Sequence, residues 1–196
     1  MRSLLITTRG GAAILILASL LVASVRAEIA ADSGTASQVT EGFVNAPVAE
    51  AWRLFTTADG YKLMGANQAE VTLQVGGLIR SHVDSRGALG DPETTVSEIL
   101  AYDPQHVLAI RTRQAPASFA YRDAIDGTWT VIYFTASGQD MSFVRMVSLG
   151  YRDTPQSQAL RKAVGDSHRQ LLDRIARHYW PKCKLCAAET PAGAQE

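Results

Sequence analysis

Residues 128–179 read TWTVIYFTASGQDMSFVRMVSLGYRDTPQSQALRKAVGDSHRQLLDRIARHY, and the way this stretch divides decides the fold. Thr128 to Ala136 is dense in Thr, Val, Ile, Tyr and Phe, residues that suit a pleated, half-buried surface. Met141 to Leu149 repeats that character. Ser137-Gly138 between them supplies turn chemistry, so the pair reads as a hairpin. The period then changes. From Pro155 to Tyr179, Leu160, Val164, Leu171, Ile175 and Tyr179 recur on one helical stripe, while Arg161, Asp166, Asp173, Arg174 and Arg177 face away. Pro181 stops the helix. Two strong strands followed by a long amphipathic helix call for a sheet with one face that the helix can cover.

Upstream, Ser37 to Val44 makes a first strand. Asn45 is placed to cap a helix, with Pro47 at its first turn, where a missing N–H costs nothing. Val48, Ala51, Trp52 and Phe55 give that helix one apolar face, and it ends near Thr57. Asp59-Gly60 predicts a turn, and Tyr61 to Gly65 a short second helix. Val71, Leu73 and Val75 alternate with polar residues as a strand does. Gly76-Gly77 breaks the run, and Leu78 to Val83 returns beside it. Thr94 to Tyr102 and His106 to Gln114 are further strands about Asp103-Pro104, and Ala115 to Gly127 is irregular. The predicted order is a strand, two helices, six strands and a long helix. That describes one α+β domain over residues 37–181, its antiparallel sheet wet on one face.

The flanks differ in kind. Arg2 and Arg9 precede an apolar run from Ala12 to Val25, and Val25 and Ala27 place small residues three and one before Glu28. This is the layout of a cleavable secretory signal. A run of about 14 residues falls short of the roughly 20 that span a bilayer. The expected organisation is therefore a signal peptide over 1–27, a linker over 28–36 and a solvated tail over 182–196, in a periplasmic or secreted protein. Cleavage removes three arginines and no acid, leaving 16 basic against 19 acidic residues. With no basic stripe interleaved with aromatics, nucleic acid is excluded as a partner. An apolar content of 46% excludes disorder for the bulk of the chain.

Val44-Asn45-Ala46-Pro47 running into Ala51-Trp52-Arg53-Leu54-Phe55-Thr56 resembles the opening of the START-like, or SRPBCC, superfamily. The strand closing on Val75-Gly76-Gly77 resembles its polyketide-cyclase-like branch and the branch named after activators of the heat-shock-protein ATPase. The likeness covers roughly Ser37 to Trp180. It implies a helix-grip fold, a curved antiparallel sheet wrapped around a long C-terminal helix, with a cavity for a small apolar molecule. The chain departs from the pattern at Tyr61-Lys62-Leu63-Met64-Gly65, where the superfamily usually carries Trp near the cavity mouth. Lipid carriers, hormone receptors, aromatic cyclases and co-chaperone-like proteins share this cavity without a common catalytic set.

On that implied fold the ligand-binding candidates are Trp52 and Phe55 on the first helix, Phe143 and Arg145 on the last strand, and Val164 and Leu171 on the last helix. Arg145 alternates in phase with Met141, Phe143, Val147 and Leu149. Pointing inward, its guanidinium needs a partner or an anionic ligand head. The opposite phase puts Val144 and Met146 inside and Arg145 in solvent. Arg80, His82, Arg111 and Arg113 read as solvent-facing, and His168 and His178 as structural or exposed.

Catalytic motifs are missing: no Gly-x-Ser-x-Gly elbow, phosphate-cradling glycine loop or His-Glu-x-x-His pair occurs. Asp123 and Asp126 lie close together in a polar loop, without the burial that would separate their pKa values. No catalytic, cofactor or metal residue is assigned. Cys183 and Cys186 form a Cys-x-x-Cys pair too small for a zinc site. In an exported protein they read as a disulfide within the tail, with a redox role or an intermolecular bridge as alternatives. Three functions fit: a carrier or sensor of a small apolar molecule, a polyketide-cyclase or dehydratase-like enzyme in which Arg145 orients a carbonyl, or a protein acting through its surface. The lack of a self-contained acid/base constellation favours the first.

Overall fold

The computed structural model describes residues 37–180. The predicted signal peptide, the linker and the Cys183–Cys186 pair lie outside the described residues. Within them the chain runs β1 (Gln38–Val44), α1 (Val48–Thr56), α2 (Ala58–Leu63), β2 (Gln68–Val71), β3 (Leu78–His82), β4 (Thr95–Asp103), β5 (Val107–Gln114), a 3₁₀ turn (Arg122–Ala124), β6 (Trp129–Ala136), β7 (Ser142–Leu149) and α3 (Pro155–Tyr179). The seven strands form one curved antiparallel sheet in the order β1-β7-β6-β5-β4-β3-β2. The first and last strands are neighbours, so α1 and α2 carry the chain from one edge of the sheet to the other.

The β6–β7 hairpin sets the phase of the sheet. Its register runs from Trp129↔Leu149 to Ala136↔Ser142, and the Ser137 N–H closes the turn on the Met141 carbonyl at 2.8 Å. Because alternate residues face opposite ways, burying Ser142, Val144, Met146 and Ser148 turns Phe143 and Arg145 outward. Ile132 and Phe134 of β6 and Leu108 of β5 point to the same inner face.

Three local expectations are corrected. The strand expected over Val71 to Val75 ends at Val71, leaving Val75 67% exposed. Gly76 donates its N–H to the Ile99 carbonyl at 2.8 Å, and Ile99 donates back to Gly77 at 2.9 Å, so the segment folds onto β4. The turn expected at Asp59-Gly60 is the first turn of α2. Thr57 makes the break instead, its hydroxyl accepting the Gly60 N–H at 3.1 Å as an N-cap. His82, read as solvent-facing, is 2% exposed.

The solid core occupies one end of the sheet. Trp52 and Phe55 of α1 pack edge-on against Phe134, with ring centroids 5.4 and 5.5 Å apart. Ile99, Leu108, Ile132 and Val144 lie beneath them, and Leu172, Ile175 and Tyr179 of α3 complete the cluster. Small residues bring α3 close to β1. A side chain on Gly42 would touch Leu172, and a Cβ on Gly165 would lie 2.7 Å from the Gln38 amide. The helix therefore lies low over β1, and its N-terminal half leaves space over the strands beyond.

Candidate functional site

That space is a partly open cavity of about 390 Å³ bounded by the sheet, α3 and the loop between β5 and β6. The sheet contributes Ile110, Thr112, Thr130, Met146 and Ser148, and α3 contributes Leu160, Val164, Ser167 and His168. Phe119 and Ile125 from the loop, with Tyr151 after β7, close the remaining wall. Its cause is steric. At the α1 end, Trp and Phe fill the gap between helix and sheet, whereas at this end three of the inward strand positions, Thr112, Thr130 and Ser148, carry short hydroxyl side chains.

The loop wall is tied down from a distance. Ser118 binds the Glu93 carboxylate through its hydroxyl at 2.6 Å and its N–H at 3.1 Å, and the Ala117 N–H reaches the Pro92 carbonyl at 2.9 Å. Asp91 organises the segment carrying Pro92 and Glu93. It accepts the N–H groups of Ala88 at 3.0 Å and Glu93 at 2.9 Å, and faces His82 Nε2 at 3.0 Å. The Ala88 N–H, then that of Glu93 and the imidazole, holds the Asp91 carboxyl below its usual range against some desolvation. His82 Nδ1 accepts the Asp84 N–H at 3.1 Å, so both ring nitrogens are engaged beneath the loop. This loop folding back over β3 is why His82 is buried, and no local spacing reveals it.

The cavity interior carries no formal charge. None of its lining residues is Lys, Arg, Asp or Glu. Burial pulls His168 from 6.5 down to about 4, so the imidazole is neutral at pH 7, and burial raises the Tyr151 hydroxyl. The Thr130 and Ser148 hydroxyls bond each other at 2.8 Å, with Tyr151 in reach of Ser148. His168 Nδ1 is fully buried with no partner.

Of the residues singled out from sequence, Val164 lines the cavity. Trp52, Phe55 and Leu171 belong to the packed end instead. Phe143 and Arg145 are corrected to the outer face. Arg145 is 51% exposed at its side chain and pairs with Glu41 across β1 at 3.5 Å, and Phe143 meets Phe43 with ring centroids 5.2 Å apart. The reason is the phase of β7. Arg80 pairs with Glu70 on the surface, and Arg111 and Arg113 flank Glu98, whose carboxyl they hold below its usual range.

The residue that sequence reasoning set aside is His168. The signal existed: Leu160, Val164, His168 and Leu172 are spaced by four, placing the imidazole on the apolar stripe. Among the described residues no three metal-ligating side chains converge, and no helix is long and apolar enough to cross a membrane.

A curved sheet closed by a long C-terminal helix, with a cavity between them, is the helix-grip α+β fold. Solved structures with this architecture include protein MLL2253 from Mesorhizobium loti. It matches with a TM-score of 0.58 at 17% identity, over 76% of this chain and 100% of that one. The di-domain ARO/CYC protein BexL of the BE-7585A biosynthetic pathway matches with a TM-score of 0.56 at 14% identity, over 72% of this chain and 45% of BexL. PFC0360w, an HSP90 activator from Plasmodium falciparum, matches with a TM-score of 0.54 at 15% identity, over 74% and 96%. Likeness at such identities carries the fold and not the activity. No family model and no curated protein matches the chain.

Proposed function

We propose that this chain is an exported carrier or sensor holding one small apolar molecule beneath the N-terminal half of α3. The observation that carries the reading is the cavity, about 390 Å³ and mostly apolar with a few polar groups, the usual make-up of a small-molecule site. Carriage is favoured over catalysis by the titratable groups. His168 and Tyr151 share the cavity, but burial moves their pKa values away from neutrality, in opposite directions. Acid–base catalysis works best with groups poised near the operating pH. Export rests on the Arg2–Ala27 layout, and mass spectrometry of protein from its own host should find Glu28 at the N-terminus. An intact Met1 in a membrane fraction would sink that part.

N-phenylnaphthylamine, an uncharged apolar fluorophore, should bind the purified protein one to one. Val164 projects into the cavity, so Val164→Trp should fill it and reduce binding by more than about tenfold while the protein stays folded. Arg145→Leu is the control. With its guanidinium on the outer face beside Glu41, probe affinity should stay within about twofold. Equal binding by Val164→Trp and the parent protein would overturn the site.

A further inference from the structure

The cavity's polar groups define the chemistry of its ligand, and we propose that it is a neutral amphiphile: an apolar body with one hydroxyl or carbonyl group, not a carboxylate or an amine. This rests on the binding reading above and narrows it. Hydroxyls of Thr112, Thr130 and Ser148 lie on β5, β6 and β7, and those of Ser167 and the His168 imidazole lie on α3, all on one cavity. Opposite sheet and helix therefore present donors and acceptors to the same space. Thr130 and Ser148 share one hydrogen bond at 2.8 Å and Tyr151 reaches Ser148, which leaves one hydroxyl proton among the three groups and further lone pairs for a guest. On the helix side His168 Nδ1 is buried without a partner, a cost that a hydrogen-bonding ligand would relieve.

Formal charge finds no counter-charge among the lining residues, the cation Arg161 acting only on Tyr151 in the wall. No Lys or Arg lines it to meet an anion, and no Asp or Glu to meet an ammonium. A buried ion without a counter-charge is far more costly than a buried hydroxyl, which one good partner satisfies. The imidazole, neutral at pH 7, offers either a donor or an acceptor according to its tautomer, and so suits an alcohol or a carbonyl alike.

The test is displacement of bound N-phenylnaphthylamine by decanol and by decanoate at pH 7.5. Decanol should displace the probe at a concentration at least about tenfold lower than decanoate. In the double variant Ser148→Ala/His168→Leu the cavity keeps its apolar wall. Decanol affinity, taken relative to probe affinity in the same variant, should fall about tenfold. Decanoate displacing the probe as well as decanol would overturn the ligand class and leave the cavity reading intact. Undiminished relative decanol affinity in the double variant would overturn the assignment to these residues. Failure of the probe itself to bind the parent protein would instead sink the binding reading on which the class depends.

Discussion

Gly60→Ala is expected to destabilise the protein by about 3 kcal/mol, the upper end of the cost of overpacking. In an ordinary exposed helix the same change gains up to about 1 kcal/mol, because alanine is the better helix former. Here the sign is reversed by packing. A Cβ on Gly60 would lie 2.3 Å from the Leu54 carbonyl oxygen and 2.5 Å from that of Arg53. Both are backbone atoms, so no side-chain rotation relieves the clash, and α1 and α2 must separate. The junction they form is buried and joins the Trp52–Phe55 core to the short helix. Urea denaturation of the two proteins measures the difference. Equal or greater stability for the alanine variant would contradict the close approach of the two helices.

Acid should unfold the protein earlier than its carboxylates alone require, because His168 is buried in its neutral form. Its pKa is pulled by desolvation from 6.5 to about 4 in the folded state, so between those values the unfolded chain binds a proton that the folded chain does not. Stability therefore falls as pH drops from about 6.5 toward 4, by up to roughly 3 kcal/mol over the full window. Asp91, Glu98 and Asp166 act in a different range. Their folded pKa values are lowered, so their stabilisation is lost below the ordinary carboxylate pKa, as pH falls through the folded values. His168→Leu separates the two effects. Its unfolding free energy should be nearly flat between pH 6.5 and 5, where the parent protein declines, and both should decline at lower pH. A parallel decline in parent and variant across the upper window would show that His168 does not bury its neutral form.

Element type and order were legible in the residues because periodicity and turn chemistry are local properties. The change from strand-like residues at Thr128–Leu149 to a four-residue stripe after Pro155 gave the hairpin and the long helix within a residue or so. The misplaced pieces were those governed by distant partners. Val71 to Val75 alternates well enough for a strand, but Ile99 captures the backbone of Gly76 and Gly77 and bends the segment away. Asp59-Gly60 has turn composition, yet glycine is there because two helices touch.

The candidate site divides along the same line. Val164 was identified because a helix stripe has one plausible inner face. Arg145 and Phe143 were candidates on one of two open phases, because β7 is apolar on both faces and alternation gives a period without a phase. Hydrogen bonding to β1 and β6 supplied the phase, burying Val144 and Met146 and leaving Arg145 to Glu41. The sequence by itself determined the helix-grip order of elements, the amphipathic closing helix and a chain with room for a guest. Tertiary structure alone decided where that room lies. Bulky rings from α1 fill one end of the sheet, while small hydroxyl side chains beneath Leu160, Val164 and His168 leave the other end open. Volume between two surfaces depends on both of them, and no single stretch of chain carries that information.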